Sequence, residues 1–317
     1  MKKYGIPTAK YFTFSNSEDA LNYAGSDSVK FPLVVKADGL ALGKGVIIAE
    51  NKEDAKDAIN IMMREKKFGA SGCEIVIEEF LSGPEVTILA FTDGKTIIPM
   101  ISSMDHKRIF DDNKGPNTGG MGVIAPNPYY AKEIAAICEK DIFLPTIRAL
   151  VEEGCPFKGC LYFGLMLTKE GPKVIEYNCR FGDPETQAIL PLLETDLLEI
   201  MEAVTDENLS NINIKWKNAH CACIVLASGG YPSAYKTGFP IKGLDSSGGI
   251  RCEDSQTAFV YHAGTEYKDG QFFTAGGRVL GISVTGVKLD SALEMAYKTA
   301  GLINFEGVHY RKDIGKY

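Results

Sequence analysis

Residues 32–50 read PLVVKADGLALGKGVIIAE, three glycines and two lysines set between two apolar, β-branched runs. A Walker A phosphate loop needs four residues between its first glycine and the Gly-Lys pair, then Ser or Thr for magnesium. Here Gly39 and Gly43-Lys44 leave three residues between them, and Gly45 follows the lysine. VIIAE is short and β-branched, so a strand follows the loop where a P-loop or Rossmann turn would open a helix. The remaining readings are a glycine-rich hairpin that closes over phosphates through backbone N–H groups, or a plain hairpin whose glycines serve turn geometry. Lys36 favours the first: within VVKAD it sits among buried-type residues, where an ammonium is costly unless an anion meets it.

Outward from this stretch, 317 residues with 45% hydrophobic side chains are enough for two or three packed units. A net charge of −7 argues against a general nucleic-acid binder, and no apolar run reaches the ~20 residues of a bilayer span. The start, MKKYGIPTAKYF, lacks the apolar core of a secretion signal, which predicts a cytoplasmic protein with no membrane partner. Eight cysteines occur without a CxxC pair, and Cys221 and Cys223 in HCACIVLAS read as reduced thiols of a buried strand, not as metal ligands. Helical spacing is evident in SNSEDALNYAG, in NKEDAKDAINIMMREKK and in YYAKEIAAICEKDIFLPTIRALVEEG, where Pro145 predicts a kink or break. Helices are also predicted in LETDLLEIMEAV and at SALEMAYKTAGLI, and strand hairpins at PEVTILAFTDGKTIIPMI and GCLYFGLMLTKEGPKVIEYN. From Ser102 to Pro128 the chain reads as a polar, glycine-rich loop. These patterns predict an α+β chain in three zones, residues 1–82, 83–212 and a strand-rich 218–317.

Three further stretches bear chemistry. In EIVIEEFLSGPEVT a strand ends at Glu78 and Glu79, leading through Phe80 and Leu81 to a Gly-Pro turn and Glu85. Such a connection can read an adenine edge by its backbone while a carboxylate accepts ribose hydroxyls, or it is simply an exposed charged strand end. In VIEYNCRFGDPETQ, strand alternation predicts Glu176, Asn178 and Arg180 on one face. The first two are hard ligands suited to Mg²⁺, and the arginine suits phosphoryl oxygens. In DHKRIFDDNKGPNTGGMG, Asp105, His106, Lys107 and Arg108 accompany Asn117, Thr118, Gly119 and Gly120, whose N–H groups can form an anion nest. A long loop of this composition reads as functional, and His106, with no base partner visible, reads as structural.

Taken together, VVKADGLALGKGV, EEFLSGPEVT, DHKR with GPNTGGMG, and VIEYNCRFGDPETQ resemble the phosphoribosylamine–glycine ligase family of the ATP-grasp superfamily. The likeness runs the length of the chain, through GGYP, Gly276-Gly277-Arg278-Val279-Leu280 and the terminal SALEMAY. It implies an ATP-grasp fold, two α+β lobes clamping ATP (residues 1–82 and 83–212), followed by a small strand-rich domain. It implies ligation of glycine to 5-phosphoribosylamine through glycyl phosphate, with ATP and Mg²⁺ or Mn²⁺. By the same resemblance Lys36 meets the ATP phosphates under a flap from Gly39 through Gly43, Lys44 and Gly45. Glu78, Glu79, Phe80 and Leu81 form the adenine hinge, Glu85 meets the ribose, and Glu176 and Asn178 hold the metal. Asp105, Lys107 and Arg180 are the expected catalytic groups, with Asn117, Thr118, Gly119, Gly120 and Asp183 lining the substrate sites. The strand CLYFGLML carries no acid, so a third protein carboxylate for metal is not expected. Family members begin with a further α/β domain, so the resemblance also predicts a missing N-terminal domain and weakened synthesis. A ligase for another acid or amine, or a silent ATP-binding fragment, are the alternatives.

Overall fold

A computed structural model describes residues 1–39, 45–250 and 258–316. The chain forms two compact units: Met1–Lys2, Pro7–Gly83 and Met166–Ile175 make the first, and Lys3–Ile6, Pro84–Leu165 and Glu176–Tyr317 the second.

The first unit is an antiparallel sheet in the order β1 (Tyr11–Phe14), β4 (Ile75–Glu79), β2 (Leu33–Ala37), β3 (Val46–Ala49). Two helices, α1 (Ser17–Gly25) and α2 (Lys52–Ile59), cross between its strands, and each begins at an asparagine. The Asn16 side chain accepts from Glu18 N–H, and that of Asn51 from Glu53 and Asp54 N–H, satisfying amides the helices leave unpaired. The period-2 alternation sends Leu33, Val35, Ile75 and Ile77 into a core with Ala20, Ala24, Ala55, Ala58 and Ile59 from the helices. The opposite sheet face is left to Val34, Lys36, Val76 and Glu78. Because Val34 pairs with Glu78 and Lys36 with Val76, Lys36 and Glu78 are diagonal neighbours on that face.

The second unit contains two larger sheets. One runs β12 (Gly171–Asn178), β11 (Gly159–Thr168), β5 (Glu85–Thr92), β6 (Ile97–Pro99), with the tip of the β11–β12 hairpin belonging to the first unit. The other runs β14 (Ala258–His262), β17 (Arg278–Gly286), β13 (His220–Ala227), β10 (Gly122–Ala125), β7 (Met104–Asp105), all neighbours antiparallel. Strand β13 is buried on both faces. Cys221 and Cys223 join Leu89, Phe91, Val123, Cys160 and Tyr162, while Ala222, Ile224 and Leu226 face Ala292, Ala296 and Ala300 of helix α7 (Leu289–Ala300). Two short hairpins, β8 (Arg108–Phe110) with β9 (Lys114–Asn117) and β15 (Thr265–Lys268) with β16 (Gln271–Thr274), complete the strands. Helices α3 (Lys132–Cys138), α4 (Leu144–Glu152), α5 (Glu185–Ile189) and α6 (Leu197–Thr205) complete the unit. Among the described residues no helix is long and apolar enough to cross a membrane.

Several sequence expectations need correction. The Ser102–Pro128 stretch is not one loop: it contains β7 to β10, and β10 is fully buried within the five-stranded sheet. The helical stretch up to Gly154 passes through a π-turn at Glu139–Phe143 directly before Pro145. Pro145 has no N–H to continue the α-helical ladder, so the irregular turn falls where that bond would be absent. The strand expected to carry Arg180 ends at Asn178. Arg180 lies in the bend beyond, with its Nη1 donating to Phe181 O at 2.8 Å.

Candidate functional site

In the first unit, the anion that meets Lys36 is a carboxylate of its own sheet. The Lys36 ammonium lies 2.7 Å from Glu78 Oε2 and donates to Ile175 O at 3.3 Å. Its neighbour Glu79 accepts from Lys10 N–H at 3.0 Å and stands 3.5 Å from the Lys173 ammonium. On the sheet face opposite the core, Lys36 and Glu78 thus form one part-shielded, charge-matched pair between two valines. Phe80 and Leu81 follow β4, Phe80 exposed and Leu81 half-buried. Gly39 has φ +157° and presses on Ser71, where a Cβ would come within 2.8 Å of Ser71 Cβ. Gly45 O accepts from Ala37 N–H at 2.8 Å, closing the ends of β2 and β3. Gly43 and Lys44 of the expected flap lie outside the described residues.

In the second unit the structure gathers side chains from four segments. The Lys107 ammonium is 3.0 Å from Glu85 Oε2 at the start of β5 and 4.0 Å from Glu176 Oε1 on β12. Two residues along β12 lies Asn178, on the same face as Glu176 by strand alternation. Beneath them is a buried polar chain: Thr87 Oγ1 and Tyr162 Oη are 3.1 Å apart, and Tyr162 Oη donates to Glu185 Oε1 at 3.0 Å. Asp105 is close enough to share their field, and its Oδ1 is buried with no hydrogen-bond partner.

The electrostatics follow from that crowding. Burial, then the charge of Glu185, pushes the Asp105 carboxyl well above the usual range. Burial also raises Glu185, against the bond from Tyr162 and the attraction of Lys107. For Lys107 burial works against the ammonium, but Glu85, Tyr162, Asp105 and Glu176 outweigh it and hold its pKa well above that of a free lysine. The cluster therefore holds one firmly protonated amine among carboxyls that resist ionising together.

The loop after β9 is fixed onto this cluster. Thr118 Oγ1 donates to Lys107 O at 2.8 Å, and Gly120 N–H donates to Thr118 Oγ1 at 2.9 Å. Gly120 has φ +116°, and a Cβ there would meet Pro184 Cδ at 2.4 Å and Asp105 Oδ1 at 2.8 Å, so only glycine allows this approach. Arg278 Nη1 donates to Gly119 O at 2.8 Å and to Asp183 O at 2.7 Å, and Nη2 meets Asp183 Oδ2 at 3.0 Å. Gly119 N–H donates to Tyr231 Oη at 3.0 Å. Asn117 is exposed at the end of β9. His106 is buried, held near pKa 4 first by burial and then by Arg311, and its Nε2 accepts from Gly315 N–H at 3.2 Å.

The residues that sequence reading passed over are Thr87, Tyr162, Glu185 and Arg278. Thr87 and Tyr162 occupy apolar strands and look like core positions. Glu185 and Arg278 stood within quoted stretches, FGDPETQ and Gly276–Leu280, but only the fold brings them to Asp105, Asp183 and Gly119.

Among the described residues no group of three or more His, Cys, Asp or Glu side chains comes together around a metal position. The Glu176–Asn178 pair fits Mg²⁺ nonetheless, because this ion takes few protein oxygens and fills its remaining positions with phosphate and water.

A charged, glycine-edged strand pair in one α+β unit, with a Glu-x-Asn strand end and a lysine among carboxylates in the other, defines an ATP-grasp ligase. Comparison with known proteins agrees. The family described as phosphoribosylglycinamide synthetase, ATP-grasp (A) domain, matches residues 1–186, and the C domain of the same synthetase matches residues 221–317. The chain belongs to the phosphoribosylamine–glycine ligase family. It is 48% identical over 314 residues to phosphoribosylamine–glycine ligase of Caldanaerobacter subterraneus, covering 99% of this chain and 73% of the relative. It superposes on the crystal structure of the Thermotoga maritima ligase with a TM-score of 0.85 at 34% identity, covering 99% of this chain and 76% of that one. A biotin carboxylase from Campylobacter jejuni shares the fold at 14% identity, with a TM-score of 0.72 over 97% of this chain and 65% of that one.

Proposed function

We propose that the chain joins glycine to 5-phosphoribosylamine at the expense of ATP, giving glycinamide ribonucleotide, ADP and phosphate. The observation that carries this reading is the Lys107 ammonium held at 3.0 Å from Glu85 and 4.0 Å from Glu176, which shares a strand face with Asn178, in a chain of this family. In this reading Lys36 turns from Glu78 to the ATP phosphates. The backbone of Glu79, Phe80 and Leu81 meets adenine while Glu85 accepts the ribose hydroxyls. Glu176 and Asn178 would hold Mg²⁺, which would supply positive charge against the phosphates. Lys107 and Arg180 offset charge on the phosphoryl group as the glycine carboxylate attacks it. Asp105, whose raised pKa makes its ionised form the stronger base, takes the proton lost as the C–N bond forms. Asn117, Thr118, Gly119, Gly120 and Asp183 line the substrates and exclude water from the acyl phosphate.

The test is phosphate release measured with ATP, Mg²⁺, glycine and phosphoribosylamine. Release that requires both substrates, with glycinamide ribonucleotide identified by mass, supports the reading. Release with another acid or amine and not with these, or tight ATP binding with no release, overturns it.

A further inference from the structure

We infer that the C-terminal segment His309–Gly315 is a positioning clasp for the Lys107–Gly120 segment, with Arg311 as its key side chain. The hairpin between Lys107 and Thr118 is poorly able to hold itself. Its strands share only the pairs Arg108–Asn117 and Phe110–Lys114, with an irregularity between them. A two-stranded hairpin of this length is not independently stable in water. Its turn is also strained, since Asp112 and Asn113 are consecutive non-glycine residues at φ 57° and 54°.

The strained residues are the ones the C-terminal segment grips. Arg311 is 1% exposed and bonds Asp313 through both Nε and Nη2, at 2.7 and 2.8 Å. Its Nη1 donates to Arg108 O at 3.1 Å and to Asn113 Oδ1 at 3.0 Å. Asp313 Oδ2 in turn accepts from Asp112 N–H at 2.8 Å, and Asp111 Oδ1 accepts from Lys312 N–H at 2.8 Å. His309 Nε2–H donates to Ile109 O at 2.9 Å, and Gly315 N–H donates to His106. Burial disfavours an ionised Asp313, but the Arg311 guanidinium and the Asp112 amide outweigh it and bring its pKa to about 2, so the pair stays charged near neutrality. A buried guanidinium with all these bonds met is over-determined, and the hairpin it holds is under-determined. The hairpin's two ends are Lys107 and Thr118, which bond each other and carry the site.

Arg311→Met and Arg311→Lys test this, with Val284→Ala, a buried core truncation in β17, as a control for lost stability. Two readouts separate positioning from mere stability, each taken well below the variant's own unfolding temperature. The first is the acetylation rate of Lys107 by acetic anhydride, read by mass spectrometry. It should rise at least about fivefold in Arg311→Met, rise less in Arg311→Lys, and stay at the parent value in Val284→Ala. The second is steady-state phosphate release, which rests on the proposed ligase activity. There kcat should fall at least about tenfold in Arg311→Met while the KM for ATP stays within about twofold, with partial recovery in Arg311→Lys. Unchanged Lys107 labelling in folded Arg311→Met overturns the clasp, as does an equal rise in Val284→Ala. A parent without ligase turnover overturns the functional reading alone, because the labelling still decides the clasp. Should Arg311→Met not fold, Asp313→Asn, which weakens the same grip, takes its place in both readouts.

Discussion

Lys107 is the residue on which the charges of the second unit's candidate site converge, and its neighbours show why a single cation matters there. With Glu85, Glu176, Asp105 and Glu185 around it, its removal leaves carboxylates facing one another and takes away the charge that would meet a transferring phosphoryl group. Lys107→Met should lower kcat/KM for phosphate release at least about 100-fold, about 2.7 kcal/mol of transition-state stabilisation. Activity within about threefold of the parent would remove Lys107 from the mechanism. Glu185 makes a prediction about pH. Its carboxyl is raised by burial, so the neutral form is favoured in the folded state and the ionised form is penalised. Its contribution to stability is complete below the ordinary glutamate value of 4.5 and is lost as pH rises through the raised folded value. Glu185→Gln keeps an oxygen to accept from Tyr162 but cannot ionise, so it should have the higher urea midpoint at pH 8, with the gap closing towards pH 4.5. A gap that stays constant over that range would show that Glu185 is not the titrating group. That Glu176 and Asn178 share a face could be read from sequence because strand alternation sets it, and Lys36 stood out as a cation among buried-type residues. The Lys36–Glu78 pair could not, because it depends on the register between β2 and β4, and register is set by pairing partners distant in sequence.

At the scale of elements, the legible parts were those with a repeating pattern. β2, β3, β4, β5 and β11 are β-branched or alternating, and α1, α2 and α7 carry apolar residues at helical spacing. β10 was not legible: Gly119 and Gly120 precede it, Gly122 opens it, and its burial arises from pairing with β13, about a hundred residues later. Likewise Arg180 falls off its strand because the chain bends after Asn178. Close backbone approach is another property that sequence hints at without locating. Gly83, between β4 and β5, has φ +153°, and a Cβ built there would sit 2.0 Å from Leu167 O within the first unit. A carbonyl on a paired strand cannot give way as a flexible side chain would. Gly83→Ala should therefore destabilise by about 2 to 4 kcal/mol, from overpacking and backbone strain together. Urea unfolding followed by circular dichroism measures this, and a midpoint equal to the parent's would mean that the β11–β12 tip does not press on Gly83 in solution.

Across the whole molecule, family membership was legible because its motifs occur in order along the entire chain. How the last third assembles was not: β13, β14 and β17 complete one sheet with β7 and β10, and such long-range pairing leaves no local trace. That assembly places β13 between two cores and makes its thiols reporters of global integrity. Cys221 and Cys223 are buried, and burial pushes Cys223 up to about 12 and Cys221 higher still. Cys160 is likewise raised to about 12 and Cys138 to about 11, burial being the largest cause in each. Cys73, Cys155 and Cys179 are exposed. A thiolate is the reactive species, so a buried thiol of raised pKa stays inert until its surroundings open. Under native conditions a thiol reagent followed by peptide mapping should modify Cys73, Cys155 and Cys179 within minutes. Cys138, Cys160, Cys221 and Cys223 should react only as the second unit unfolds, and Cys221 and Cys223, sharing one strand, should do so at a common rate. Rapid modification of Cys221 or Cys223 in the folded protein would mean that β13 does not lie between two packed faces, and with it would go the sheet that joins β17, β13 and β10.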